Sequence, residues 1–277
     1  MHFAFKIFMS ILNISNESLP SIISIQYKYI KYLYLLHDMI KHENPNQKQT
    51  KGLSKMQTKS QPKKILDLFT GTGSVTITAK KNGLDVKSLD INQIKGAPDV
   101  TFITDILNFR PELDLGEKWI PDIIWASPPC TEYSRAKTKG QRDIQGANKL
   151  VKKTIHIILW ALKKNPKLIW IIENPQTGYL KDQKFMQKFT FVDADYCAYG
   201  FPYRKRTRFW TNQNIELKMC SGVGRCPFML PNTNKHFHNI ADGHAQYNLN
   251  GKQIPIHDKY KIPEKIIEKL ILSNNSM

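Results

Sequence analysis

Cysteine is scarce in this chain: four in 277 residues, at positions 130, 197, 220 and 226. Secreted disulfide scaffolds carry cysteine far more densely, so a reducing, intracellular setting is expected and secretion is not. Long apolar runs are also lacking. No stretch of about 18 uncharged apolar residues occurs, which argues against a membrane span. Met1 to Leu12 is apolar but broken by Lys6, and no small-residue cleavage site follows, which argues against a signal peptide. Arginine is short as well. Only seven of the 41 basic residues are arginine, and three of those crowd together at Arg204, Arg206 and Arg208. Acidic residues number 23, leaving a net charge of +18. Such an excess suits a polyanionic partner, since lysine and arginine gain affinity by releasing phosphate counterions. An A/T-rich genome also yields many Lys, Ile and Asn codons, so the local arginine cluster weighs more than the total. No internal repeat is present.

The pattern along the chain divides it into four parts. Residues 1–60 read as an extension and linker: Leu19 to Ile40 has the composition of one helix, and Lys41 to Lys64 is polar without apolar period. Met56 stands nine residues before the first strand and is a candidate true start. Residues 61–212 alternate strands and helices. Strands are expected at Ile65–Leu68, Asp85–Leu89, Val100–Ile103, Asp122–Ala126 and Leu168–Ile172, with helices at Ser74–Lys81 and Asn148–Lys164. That alternation predicts an α/β fold with a doubly wound, mostly parallel sheet. Residues 213–250 are rich in Asn, Gly, Pro, Cys and His and read as a small loop-rich recognition subdomain. Residues 251–277 end in a helix over Glu264–Ile271, after Pro263, and return to the main domain.

Two segments in the alternating region carry the chemistry. Asp67-Leu68-Phe69-Thr70-Gly71-Thr72-Gly73-Ser74 is a strand running into a glycine turn and a helix start, where bare backbone can approach a ligand. Asp90, ending the next strand, can accept from both ribose hydroxyls, as acidic residues do in dinucleotide folds. Ile91 can pack on a purine face, and Asp105-Ile106 can reach the adenine amino group. The turn has no lysine for a triphosphate, so a nucleoside without a phosphate tail is expected. Further on, Ser127-Pro128-Pro129-Cys130 pins a thiol on a stiff turn, and Ile171-Ile172-Glu173-Asn174-Pro175 brings a carboxyl out of an apolar strand. Carbon 5 of cytosine is a poor nucleophile. A thiolate adding at carbon 6 breaks aromaticity and makes carbon 5 enamine-like, able to take a methyl group from a sulfonium donor. A protonated carboxyl can supply the proton that N3 then needs. Cys130 and Glu173 suit these two roles. The apolar run before Glu173 is expected to raise its pKa toward neutrality.

These motifs resemble those of the C5-cytosine-specific DNA methyltransferase family. Asp-Leu-Phe-x-Gly-x-Gly-Ser is similar to its first motif, Pro-Pro-Cys to its fourth and Glu-Asn-Pro to its sixth. The resemblance covers residues 65–212. It implies a Rossmann-like methyltransferase fold with S-adenosyl-L-methionine bound near Phe69, Gly71, Gly73, Ser74, Asp90, Ile91, Asp105, Ile106 and Pro128. It also implies Cys130 as nucleophile and Glu173 as the N3 partner. The family's Pro-Gln-x-Arg-x-Arg is represented by Pro202-Tyr203-Arg204-Lys205-Arg206-Thr207-Arg208. In ungapped register Lys205 and Thr207 take the two arginine places; shifted by one, Arg206 and Arg208 do. Both registers stay open, with Arg206 as the catalytic candidate toward cytosine O2 and Lys205 and Arg208 toward nucleic acid. The family's Gly-Asn-x-Val-Pro is absent, and Tyr260-Lys261-Ile262-Pro263 is its only echo.

The expected partner is duplex DNA with the target cytosine flipped out, handled by a monomer and with no membrane involved. Thr131 to Lys149, which carries Arg135 and Arg142 with Gly140 and Gly146 as hinges, is expected to close over the base and grip phosphates. Residues 213–250 are short, so a short or loose recognition sequence is expected, with no endonuclease in the chain. Cys220-x5-Cys226 followed by His236 and His238 admits a zinc ion, its fourth ligand open among Cys197, His244 and the two histidines. The alternatives are the same chemistry on RNA, amino-group methylation, and a catalytically dead nucleic-acid binder. Cys130 stands where amino-group methylases place an aromatic residue, which argues against the second. The intact Cys130–Glu173 pair argues against the third.

Overall fold

The computed structural model describes residues 61–236 and 260–273. The expectations for residues 1–60, and for His238 and His244, lie outside them. Seven strands form one sheet: β1 (Lys64–Leu68), β2 (Asp85–Asp90), β3 (Phe102–Ile103), β4 (Ile123–Ala126), β5 (Ile169–Pro175), β6 (Phe191–Asp195) and β7 (Arg206–Thr211), in the order β3-β2-β1-β4-β5-β7-β6. β1 to β5 are parallel, and β7 runs antiparallel to both β5 and β6. The helices are α1 (Ser74–Lys81), α2 (Pro111–Asp114), α3 (Ile144–Lys164) and α4 (Glu264–Leu272). The expected doubly wound, mostly parallel α/β sheet is what the chain forms. No helix among the described residues is long and apolar enough to cross a membrane.

Strand order reverses between β1 and β4, and ligands of open α/β sheets bind outside the carboxyl ends of the strands at such a point. Leu68 pairs with Ala126 there, and the Ser127 N–H donates to the Leu68 carbonyl at 3.1 Å. The glycine turn and the Pro-Pro-Cys turn therefore leave the sheet side by side.

Side chains alternate between the faces of the sheet. One face carries Ile65, Ile123, Trp125, Ile169, Ile171 and Phe209, packed with Val75 and Ala79 of α1 and Ile266, Ile267, Leu270 and Ile271 of α4. Trp125 meets Phe209 edge-on, with ring centroids 5.9 Å apart. Leu66, Leu68, Ile124, Ala126 and Ile172 are buried on the other face. α4 lies beside α1, joined to it by a Lys81–Glu264 ion pair, and is tied to the end of β7 by the Gln213 amide, which donates to the Leu270 carbonyl and Ser273 Oγ.

Some boundaries differ from expectation for local reasons. β3 shrinks to Phe102–Ile103. At Thr101 the ladder gives way to side-chain bonds: Ser88 N–H donates to Thr101 Oγ1, and Thr101 N–H donates to Ser88 Oγ. α3 begins four residues early, because Asp143 accepts from the Gly146 N–H at 2.7 Å and caps the first turn. Gly146 is therefore helical and not a hinge. β5 runs on through Glu173, Asn174 and Pro175.

Candidate active site

The glycine turn is held by the neighbouring strand. Phe69 has φ +63°, in the left-handed region that bulky residues avoid, at a cost of about 1–3 kcal/mol. Its N–H donates to the Leu89 carbonyl at 2.8 Å, and the Thr70 N–H donates to the same oxygen at 3.1 Å. Gly71 has φ +53°, and its N–H donates to Asp90 Oδ2 at 2.8 Å. Asp90 Oδ1 accepts from the Asn92 N–H at 3.2 Å, leaving lone pairs on both oxygens. The Thr104 N–H donates to the Asp90 carbonyl, so Asp105 reaches the same end of the sheet; its Oδ1 takes the Leu107 N–H at 2.9 Å. Ile91 is exposed.

Three residues expected to face the cofactor are committed elsewhere. A Cβ at Gly73 would lie 2.3 Å from Cδ of Pro98, so the bare backbone there meets a proline of the same chain. Ser74 Oγ accepts from the Ile262 N–H at 3.2 Å. Ile106 is buried in the core, because it follows Asp105 into the fold and does not continue along the rim. The Ser74 bond also places Ile262, from the weak C-terminal echo, at the glycine turn. The segment lacks the expected glycine and asparagine, so its sequence alone is only an echo of the motif that occupies this place.

Below this turn, Asp67 is fully buried and accepts from the Thr76 hydroxyl at 2.7 Å. Burial pushes its carboxyl up to about 7, with the Thr76 bonds opposing.

At the chemical end, the Asn174 amide donates to the Pro128 carbonyl at 2.8 Å in a buried bond. It ties the Pro-Pro-Cys turn to the residue after Glu173. The Tyr133 N–H donates to the Cys130 carbonyl, and the Tyr179 N–H donates to the Tyr133 carbonyl, closing the loop on the chain beyond Pro175. Gly178 is needed where these segments cross: a Cβ would stand 3.2 Å from the Tyr133 and Pro175 carbonyl oxygens. Pro128 is buried and Cys130 half-buried.

Glu173 is buried, and its Oε1 has no hydrogen-bond partner among the described residues; nor has Oδ1 of Asn174. Burial raises the Glu173 carboxyl, and the Lys205 ammonium, with the Ser127 and Tyr196 hydroxyls beside the carboxyl, pulls it back. Burial also raises the Cys130 thiol, with Lys205 lowering it and Glu173 raising it further. Thiol, carboxyl and ammonium thus act on one another within one site. The Lys205 ammonium sits 5.1 Å from the centre of the Tyr196 ring.

The arginine register follows from strand pairing. Glu173 is opposite Phe209 and Pro175 is opposite Thr207, so Thr207 and Phe209 share the Glu173 face. Arg206 and Arg208 alternate onto the other face. There Arg206 forms a two-point ion pair with Asp195, at 3.0 and 2.9 Å, and Arg208 one with Asp193, at 2.7 and 2.9 Å. Arg208 also stacks 3.4 Å from the Phe191 ring centre. Arg206 and Arg208 are thus engaged by β6 carboxylates, whereas Thr207 lies on the Glu173 face and the Lys205 charge acts on Glu173.

No family model matches the chain. A curated relative, a probable DNA (cytosine-5)-methyltransferase of Frog virus 3 (isolate Goorha), is 29% identical over 225 residues, covering 75% of this chain and 98% of the relative. The chain resembles the C5-cytosine-specific DNA methyltransferases. Two solved structures are partly similar. A mutant DNMT2 of Spodoptera frugiperda is 19% identical with a TM-score of 0.39, covering 57% of this chain and 54% of that one. The EhMeth methyltransferase of Entamoeba histolytica is 14% identical with a TM-score of 0.41, covering 58% and 57%. This chain thus spans little more than half of each.

In this cytosine-methyltransferase-like chain the basic loop after Cys130 is bound down. Arg142 donates to the carbonyls of Glu132, Ser134 and Lys137 at 2.7–3.0 Å. Lys137 pairs with Glu132 at 2.6 Å. The guanidinium groups of Arg135 and Arg142 lie 5.4 and 5.2 Å from the Tyr179 ring centre. Arg142, expected to grip phosphate, has its fork on the loop's own backbone. Of the metal candidates, Cys220, Cys226 and His236 come together, with Cys197 beside them.

Proposed function

We propose that the chain transfers a methyl group from S-adenosyl-L-methionine to carbon 5 of cytosine in DNA, through a covalent adduct of Cys130 at carbon 6. The observation that carries this reading is the buried Asn174–Pro128 bond, together with the unpartnered Glu173 Oε1. One fastens the thiol turn to the carboxyl strand. The other is a buried polar atom facing no partner of its own, suited to a ring nitrogen of a flipped-out base.

The cofactor end supports a nucleoside donor. α1 starts at Gly73 with no side-chain cap, Asp90 keeps lone pairs for ribose hydroxyls, and Ile91 offers an exposed apolar face. Phe69, Gly71, Asp90, Ile91, Asp105 and the backbone near Pro128 would hold S-adenosylmethionine. When bound it supplies an electrophilic methyl group on sulfonium sulfur.

The chain's own residues do the rest. Cys130 loses its proton and its sulfur bonds to carbon 6, while Glu173 gives its proton to N3, so the ring electrons collect at carbon 5. Carbon 5 then takes the methyl group. Loss of its hydrogen as a proton to solvent, return of the N3 proton to Glu173 and expulsion of the Cys130 thiolate restore the ring and the acid. Lys205 stabilises the thiolate as it forms. Because burial raises Glu173, the carboxyl keeps its proton into the range where it must act as an acid.

The test is methyl transfer from labelled cofactor to duplex DNA and, in parallel, to total tRNA, followed by bisulfite sequencing. Label on carbon 5 of cytosine in duplex DNA is expected. Label confined to tRNA would move the substrate to RNA, and label on neither would leave the dead-binder alternative.

A further inference from the structure

We propose that Cys197, Cys220, Cys226 and His236 form a closed structural zinc site, which fastens the segment after β7 to the β6–β7 edge of the sheet. Their ligand atoms all lie within 4.8 Å of one another. The Cys220 and Cys226 sulfurs are each 3.5 Å from His236 Nε2. A tetrahedral zinc with bonds of about 2.3 Å to sulfur and 2.0–2.1 Å to nitrogen places sulfur and nitrogen about 3.6 Å apart, which is this spacing. All four cysteines of the chain are free, so no disulfide competes for the sulfurs.

The backbone is shaped to bring these ligands together. Cys197 sits in a tight turn (Tyr196–Tyr199) directly after β6. Cys220 and Cys226 flank a loop that reverses on Gly222 and Gly224, with φ of +86° and +72°, and the Cys226 N–H donates to the Gly222 carbonyl at 2.9 Å. His236 is set by its bridge to Met229. Three separate stretches thus supply the four ligands. The apolar cluster around them is small: Cys197, Cys226 and Met229, with Cys220 and Phe228 against it. So little apolar surface cannot order a loop-rich segment, and a metal is the usual substitute.

Donor type selects the ion. Three thiolates and one imidazole in tetrahedral array favour zinc over hard cations, and four protein ligands leave no open position for catalysis. The site connects to the sheet through Asp195, whose Oδ2 accepts the Cys220 N–H at 3.0 Å while Arg206 holds the same carboxylate. This gives the Arg206–Asp195 pair a structural role. It anchors the metal loop on the face of β7 opposite Thr207.

The test is the metal content of the purified full-length chain and of its Cys220→Ser and Cys130→Ser variants, all expressed in zinc-supplemented medium without chelator. One zinc per chain is expected in the parent and in Cys130→Ser, with near-complete loss in Cys220→Ser. Replacement of the ion by cobalt should give the intense visible absorption of a tetrahedral thiolate site, which needs no enzymatic activity and no folded variant. A metal-free parent, or a cobalt spectrum without thiolate bands, would overturn the assignment. So would equal zinc loss in Cys130→Ser.

Discussion

Asp67 offers the sharpest quantitative test of the fold around the glycine turn. Its carboxyl is buried beneath the turn, bonded to Thr76, and held at about 7 against an ordinary 3.8. The sign follows from linkage. A carboxyl whose folded pKa is raised stabilises the fold fully below the unfolded value, and that stability is lost as pH climbs through the folded value. At 1.36 kcal/mol for each factor of ten, the span from 3.8 to about 7 amounts to about 4 kcal/mol. The perturbation is Asp67→Asn, which keeps an acceptor for Thr76 but cannot ionise. Urea unfolding of parent and variant at intervals from pH 4 to pH 8 isolates the effect, because every other group cancels in the difference. The variant should gain on the parent by up to about 4 kcal/mol across that range, most of it before pH 7. A stability difference that stays constant with pH would mean instead that Asp67 ionises in the fold at no cost.

Glu173→Gln should cut turnover by roughly 10²–10⁴ and change the shape of the pH–rate profile. The parent gives a bell, since the pair must hold one proton in total; the variant should give a single rise at the Cys130 ionisation, without the alkaline fall. Lys205→Met should move both limbs of the bell to higher pH, because Lys205 lowers both groups. Arg206→Gln should leave the limbs in place and cost on the order of 2 kcal/mol in urea unfolding, so an unmoved profile in the lysine variant would restore the shifted arginine register. Asn174→Ala strands the buried Pro128 carbonyl and should cost about 1–3 kcal/mol, with a fall in kcat as the Cys130 turn loosens.

The parallel half of the sheet was legible because β1, β4 and β5 are largely apolar and, like the more polar β2, lead into acidic or turn residues. β6 was not. Phe191-Val192-Asp193-Ala194-Asp195 carries two carboxylates where a strand is expected to be neutral, and only the facing Arg208 and Arg206 of β7 make it stable there. The same cross-strand pairs explain why Arg206 misled. Arginine spacing in a motif reveals residue type, whereas the face a residue occupies depends on strand register, which pairing with β5 sets. Arg142 and Gly146 read as mobile because neither the backbone carbonyls that bind the one nor the Asp143 cap that recruits the other announces itself in composition. Cys197 was recognised only as one option among several ligands, since 22 residues of chain separate it from Cys220 and the β6 and β7 fold alone closes that gap.

Catalysis as proposed requires Cys130 and Glu173 to act on one cytosine ring. The most direct measurement is incubation of the full-length chain with S-adenosylmethionine and a duplex oligonucleotide carrying 5-fluorocytosine, whose carbon 5 cannot lose a proton after methylation. A denaturation-resistant protein–DNA adduct, mapped by mass spectrometry to the peptide containing Cys130 and absent from Cys130→Ser, is the predicted result. An active enzyme that forms no adduct, or one that is trapped through a different residue, would contradict it.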